Sequence, residues 1–214
     1  MEPGIGRMIR SGMILLKERG LAAFFQEMMK KIYCRYKAYW YECELSEPIT
    51  RSPNISEQFR VVDHLFYESI NWMIMLNVPG IANQREIENM LYENHLIYTL
   101  VADDEIAGYL KVGKERVYIH DFNREIVFSP RTAFIMDTFI KENFRGKKLF
   151  HLLISAAKFD IQRRGYKKIY CHIRIDNFIS STAYEKHGFI RRGLVIYEKI
   201  FGIPLLRLPS HYIL

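Results

Sequence analysis

The stretch from Thr132 to Phe189 constrains the fold more than any other part of the chain. A strongly apolar run, Thr132 to Ile140, reads as a strand and stops at Lys141-Glu142-Asn143. A helical pattern follows from near Lys147 to Arg164, with Leu149, Leu152, Leu153, Ala156, Ala157, Phe159 and Ile161 apolar and Gly165 placed to stop it. Lys168 to Ile175 is rich in strand formers, Phe178 to His187 reads as a second helix, and Leu194 to Phe201 as a last strand. Elements in that order bury their apolar faces by laying helices on a sheet.

The preceding residues supply the rest of such a sheet. A short strand is expected at Gln58 to Val62, then helices at Leu65 to Met75 and Gln84 to Asn94. Three antiparallel strands follow at Leu96 to Ala102, Ile106 to Val112 and Arg116 to His120, the first two joined by a tight turn at Asp103-Asp104. Ile126 to Ser129 reads as a short extension ended by Pro130. The expectation is an α/β (α+β) domain over residues 58–214: a mixed, mostly antiparallel central sheet flanked by helices.

Residues 1–44 read differently, as a basic amphipathic helical extension. Leu21, Phe24, Phe25, Met28, Met29 and Ile32 recur at the spacing of one helical face, and Lys30, Lys31, Arg35 and Lys37 interleave with Tyr33, Tyr36, Tyr39, Trp40 and Tyr41. Residues 45–57, with Pro48 and Pro53, have the turn chemistry of a linker. Three roles suit the extension: packing on the domain or on a second subunit as a homodimer, contact with an anionic membrane surface, or a hold on a polyanionic acceptor. Its apolar residues weigh against nucleic acid.

The formal charge of +7, from 31 Lys and Arg against 24 Asp and Glu, favours an anionic partner without choosing one. Cys34, Cys43 and Cys171 are odd in number and scattered, giving neither a disulfide framework nor a zinc pattern, so no metal is expected. A cytoplasmic location, peripheral to the inner face of the membrane if the extension binds it, fits these features. Lys17, Glu18 and Arg19 interrupt the apolar run Met13 to Leu15 too soon for a signal peptide.

Two segments carry chemistry. Asn143-Phe144-Arg145-Gly146-Lys147-Lys148 lies where a helix begins, and a helix N-terminus offers unpaired amides and a positive dipole end to an anion. Taken alone, a solvated basic helix start accounts for it equally well. The second segment runs from Asn177, placed to cap a helix, through Tyr184 to Gly188-Phe189, placed to end it. Tyr184 is either a core tyrosine or a proton donor.

Together these segments resemble the GNAT acetyltransferase superfamily. Its acetyl-CoA loop, Gln/Arg-x-x-Gly-x-Gly/Ala, matches Asn143-x-x-Gly146-x-Lys148, and its later pattern of Asn, Tyr seven residues on, then Gly-Phe matches Asn177, Tyr184 and Gly188-Phe189. The resemblance runs from about residue 58 to 201. Asn143 stands where the family prefers Gln or Arg, and Lys148 where it prefers a tiny residue.

The resemblance implies an acyl-CoA-dependent N-acyltransferase, using acetyl-CoA or another acyl-CoA as co-substrate, with a small-molecule or peptide amine as acceptor. It implies that Phe139 and Ile140 supply backbone hydrogen bonds to pantetheine, and that Arg145, Gly146, Lys147, Lys148 and Leu149 cradle the pyrophosphate. Asn143 and Asn177 belong to the same cofactor site, and Tyr184 would protonate the leaving thiolate. An amine must be neutral to attack, and Asp137 is the foremost carboxylate to deprotonate it, ahead of Glu142 and His172. Cys171 is set aside as a core thiol. Two alternatives stand beside this reading: a membrane-peripheral acyltransferase working with longer acyl chains or on envelope material, and a non-catalytic CoA-binding regulatory module.

Overall fold

A computed structural model describes residues 33–46, 59–64, 95–102, 105–201 and 203–209. Within them are ten strands: β1 (Tyr33–Glu44), β2 (Phe59–His64), β3 (Leu96–Ala102), β4 (Glu105–Lys114), β5 (Arg116–Ile119), β6 (Arg124–Val127), β7 (Thr132–Ile140), β8 (Lys168–Arg174), β9 (Ile190–Ile200) and β10 (Ile203–Arg207). The helices are α1 (Leu149–Arg163) and α2 (Phe178–Glu185), with single 3-10 turns at His120–Phe122 and Glu142–Phe144. Eight strands form one sheet in the order β10-β9-β1-β8-β7-β4-β3-β2. Its pairings are antiparallel except β7 with β8, which run parallel because α1 carries the chain back between them. The expected mixed, mostly antiparallel sheet is the one observed.

β1 corrects the expectation of a helix up to residue 44. Its twelve residues lie in the middle of the sheet, paired with β8 (Ala38 opposite Arg174) and with β9 (Ala38 opposite Val195). The aromatic run that suited a helix surface has strand periodicity instead. Ala38 and Trp40 face one side of the sheet, Tyr41 and Cys43 the other, and all four are buried. Burying a side chain the size of Trp40 or Tyr41 is worth roughly 2–3 kcal/mol, so residues 33–44 are part of the domain and not an appendage. The expected helices at 65–75 and 84–94, the turn at 103–104, the extension up to residue 32 and most of the linker lie outside the described residues.

The third strand of the expected meander is also corrected. β5 does not join the main sheet. It pairs with β6 as a separate hairpin, and β4 is instead bonded to β7. Two apolar clusters result. On the helix face, Leu149, Leu153, Ile154, Ala157 and Ile161 of α1 pack on Leu100, Leu110, Ile135, Ile169 and Cys171. On the opposite face the hairpin residues Val117, Ile119 and Ile126, with Phe122, pack on Trp40, Phe134 and Val195.

One irregularity positions everything functional. β7 and β8 are paired only from Thr132 opposite Lys168 to Ile135 opposite Cys171. At the same level the β4–β7 ladder shifts register, Val112 facing Ile135 and Lys111 facing Asp137, so that Met136 is an extra residue. A bulge bends its strand, and this one turns β7 away from β8 and opens the sheet. No helix among the described residues is long and apolar enough to cross a membrane.

Candidate active site

The opening between β7 and β8 is a cleft of about 880 Å3 that runs from the Arg145–Lys148 loop to the tip of the β5–β6 hairpin. Beyond Ile135 the β8-facing edge of β7 has no strand partner. Gly108 stands opposite Ile140, and the amide of Lys141 donates to the carbonyl of Ala107. By the alternation of an antiparallel ladder, the backbone groups of Phe139 then face β4, while those of Thr138 and Ile140 face the cleft. Of the two residues expected to offer backbone groups to a pantetheine arm, Ile140 has them on the cleft edge and Phe139 does not. Thr138, and not Phe139, shares that edge. The Phe139 ring instead stacks on Tyr109, with centroids 5.7 Å apart.

The basic turn is built to start a helix without capping it. After the 3-10 turn Arg145 is extended, Gly146 has φ +80°, and Lys148 is the N-cap with φ 60° and no side-chain cap bond. A Cβ on Gly146 would meet nothing within 4 Å, so the left-handed backbone, and not crowding by the protein, calls for glycine there. The His151 amide donates to the Lys148 carbonyl at 3.0 Å, and the earlier first-turn amides of α1 are left to a ligand or water. Leu149 is buried and fixes the helix start against the core. Arg145 is turned back: its Nε donates to the carbonyl of Ile140 at 3.1 Å and its Nη1 to Glu142 at 3.3 Å. The Lys147 ammonium lies 5.3 Å over the Phe144 ring, and Asn143, like Lys148, is exposed. Open space over Gly146, a helix start without a side-chain cap and a cleft with strand-edge groups not paired to β8 fit a pyrophosphate with a pantetheine arm.

The two residues expected to move protons lie on opposite faces of β7. On the helix face Tyr184 is 5% exposed, its hydroxyl 2.7 Å from Thr138 Oγ1 and its ring held edge-on by Phe150 and Phe189. Burial pushes its pKa well above the ordinary value, so the hydroxyl keeps its proton. On the hairpin face Asp137, at the bulge, is exposed and accepts a 2.6 Å hydrogen bond from the Tyr109 hydroxyl. Asn177 caps α2, its Oδ1 accepting from the Ser180 amide at 3.1 Å, and Gly188 at φ +80° ends it. Cys171 is buried and burial pushes its thiol pKa up, as a core cysteine requires. Glu142 is spent on Arg145 at the loop end of the cleft. Among the described residues no three His, Cys, Asp or Glu side chains gather as a metal would require.

One member of the cleft was not legible in the sequence. Asp121, in the 3-10 turn of the hairpin, accepts a 2.8 Å hydrogen bond from His172 Nε2 and a 3.2 Å bond from the Tyr36 hydroxyl. These three residues come from the hairpin, β8 and β1, and no spacing rule connects them.

Comparisons with known proteins agree with this geometry. The model of the acetyltransferase (GNAT) family matches residues 65–189. An alpha-tubulin N-acetyltransferase of Plasmodium knowlesi is 23% identical over 124 residues, 55% of this chain and 65% of that one. Its namesake from Plasmodium falciparum is 29% identical over 72 residues, 32% and 38% of the two chains, so this chain spans under two thirds of both relatives. Among solved structures, a GCN5-related N-acetyltransferase from Sphaerobacter thermophilus superposes with TM-score 0.56 at 14% identity, covering 87% of this chain and 59% of that one. A GCN5-related N-acetyltransferase-like protein from Streptococcus suis gives TM-score 0.56 at 13% identity, covering 85% and 68%. These structural likenesses concern the fold.

Proposed function

Because this chain belongs to the acetyltransferase (GNAT) family, we propose that it is an acyl-CoA-dependent N-acyltransferase that transfers an acetyl group to an amine by direct attack. The observation that carries this reading is the opened sheet between β7 and β8, with an uncapped, glycine-started helix at one end and a buried tyrosine hydroxyl in its wall. Acetyl-CoA, when bound, supplies an activated thioester carbonyl and a thiolate leaving group.

The chain's own residues do the rest. The α1 amides beyond Gly146 hold the pyrophosphate, and the backbone groups of Thr138 with the amide of Ile140 align the arm along β7. The acceptor amine enters from the hairpin face. There Asp137, fixed by the Tyr109 hydroxyl, takes a proton from the incoming ammonium, directly or through one water. On the helix face Tyr184, proton kept by burial and oriented by Thr138, donates to the departing sulfur. Deprotonation and protonation thus take place on opposite sides of one strand, which keeps the two proton transfers separate. Among acceptor classes, an amine carried by a protein is favoured by the relatives named alpha-tubulin N-acetyltransferase.

A thiol-release assay with acetyl-CoA and a panel of lysine peptides, amino sugars and polyamines tests the proposal. Amine-dependent release, with acetyl found on nitrogen by mass spectrometry, is the expected result. Acetyl-CoA binding without turnover on any amine would favour a regulatory CoA-binding module instead.

A further inference from the structure

The cleft has two chemically distinct ends. At the loop end the charged side chains are Arg145 and Lys148. Towards the hairpin end they are Asp121, Asp137 and, from the end of β8, Arg174. Asp121 has an unusual set of partners. Its two direct hydrogen bonds come from an imidazole and a phenol, and no Lys or Arg pairs with it among the described residues. Arg174, which acts on this region at longer range, holds Asp176 through two of its nitrogens. The Asp121 side chain remains 50% exposed, whereas that of His172 is 6% exposed.

His172 is built to aim that carboxylate. Its ring is enclosed by Phe122, Phe134 and Tyr36 at centroid distances of 4.7, 5.8 and 6.0 Å. A carboxylate can only accept, so Nε2 carries a proton toward it. The Nδ1 atom is buried and has no partner. An unpaired buried polar atom is uncommon away from functional sites, and His172 lines the same cleft. The His172 bond also holds the Asp121 carboxyl below the ordinary carboxylate range. The result is a fixed anion, partly open to solvent, with no Lys or Arg in direct contact among the described residues and with the nearby Arg174 engaged by Asp176.

We propose that Asp121 is the anchor for a second positive charge on the acceptor, an ammonium or guanidinium carried beside the nitrogen that is acylated, with His172 and Tyr36 as its positioning residues. The inference rests on the acyltransferase reading above and extends it to the acceptor's chemistry. Asp137 serves the reacting nitrogen, and Asp121 serves the neighbouring charge. A basic peptide and a polyamine both present that pattern.

Calorimetric titration of the full chain tests it, with 1,5-diaminopentane, pentylamine and the peptide acetyl-Lys-Gly-Arg-amide, each with and without saturating CoA. The dicationic probes are expected to bind at least tenfold more tightly than pentylamine. Asp121→Asn, which keeps an oxygen for His172, is expected to erase that preference, and His172→Phe to reduce it severalfold, with CoA affinity unchanged in both variants. Tighter binding of the peptide than of the diamine identifies a protein acceptor, and the reverse order a polyamine. The proposal is overturned if the native chain shows no dication preference, or if folded Asp121→Asn retains it. Failure of the native chain to bind CoA would remove the acyltransferase reading, while the titrations without CoA would still decide the role of Asp121.

Discussion

The two faces of β7 meet the same cleft with different materials. The helix face closes it with main chain and packed rings: the uncapped start of α1, the strand-edge groups of Thr138 and Ile140, and Tyr184 between Phe150 and Phe189. The hairpin face closes it with carboxylates held by hydroxyl and imidazole donors, Asp137 by Tyr109 and Asp121 by His172 and Tyr36. Backbone amides recognise a phosphate whatever the surrounding side chains are, so that face can be read from a glycine and a helix start. The acceptor recognition proposed for the hairpin face depends instead on side chains brought together from separate elements.

The largest test of the contrast concerns what supports the hairpin face. Trp40→Ala removes the indole between Phe128, Phe134 and Tyr170. It is expected to cost about 3–5 kcal/mol of stability by urea denaturation. A loss below about 1 kcal/mol would mean that β1 is not part of the core.

The two proposed proton carriers should separate cleanly in kinetics. Asp137→Asn is expected to lower kcat/KM for the amine about 100-fold, and Tyr184→Phe to lower kcat by a similar factor, each leaving CoA affinity unchanged. If Tyr184→Phe changes only the melting temperature, through the lost Thr138 bond of about 1 kcal/mol, its hydroxyl is structural.

The smallest effect is a pH dependence on the helix face. Burial lowers the His187 pKa to about 4, with His151 and Lys158 adding to it. The unfolded chain therefore binds more protons than the folded one between about pH 6.5 and 4. The associated stability is complete above that window and is lost as pH falls through it. Because the group is half-exposed, the effect should stay near or below about 1 kcal/mol. Urea midpoints for His187→Gln should vary less across this window than those of the native chain, and equal slopes would show that His187 is not responsible.

Local signals were legible and distant ones were not. β7, α1, β8 and α2 follow from contiguous periodicity, from Gly165 and Gly188 at positive φ, and from the Asn177 cap. β1 departs from the expected helix because Tyr36, Tyr39, Trp40 and Tyr41 satisfy a helical stripe as readily as an alternating strand. The residues that decide between them, Arg174 and Val195, lie far along the chain. β5 pairs outside the expected meander for a related reason: a run of alternating residues does not reveal which strand will pair with it. The Tyr184 face was readable from a motif. Asp121 was not, because its partners come from β1 and β8 and meet it only after the sheet has formed.

The most direct test is a calorimetric titration of acetyl-CoA into the native chain and into Gly146→Glu, with ATP as the control. The account predicts saturable one-to-one binding to the native chain and little response to ATP. It also predicts at least a 100-fold loss in the variant, whose circular dichroism stays native, because a carboxylate against the pyrophosphate costs several kcal/mol. No binding by the native chain, or equal binding by the folded variant, would contradict it.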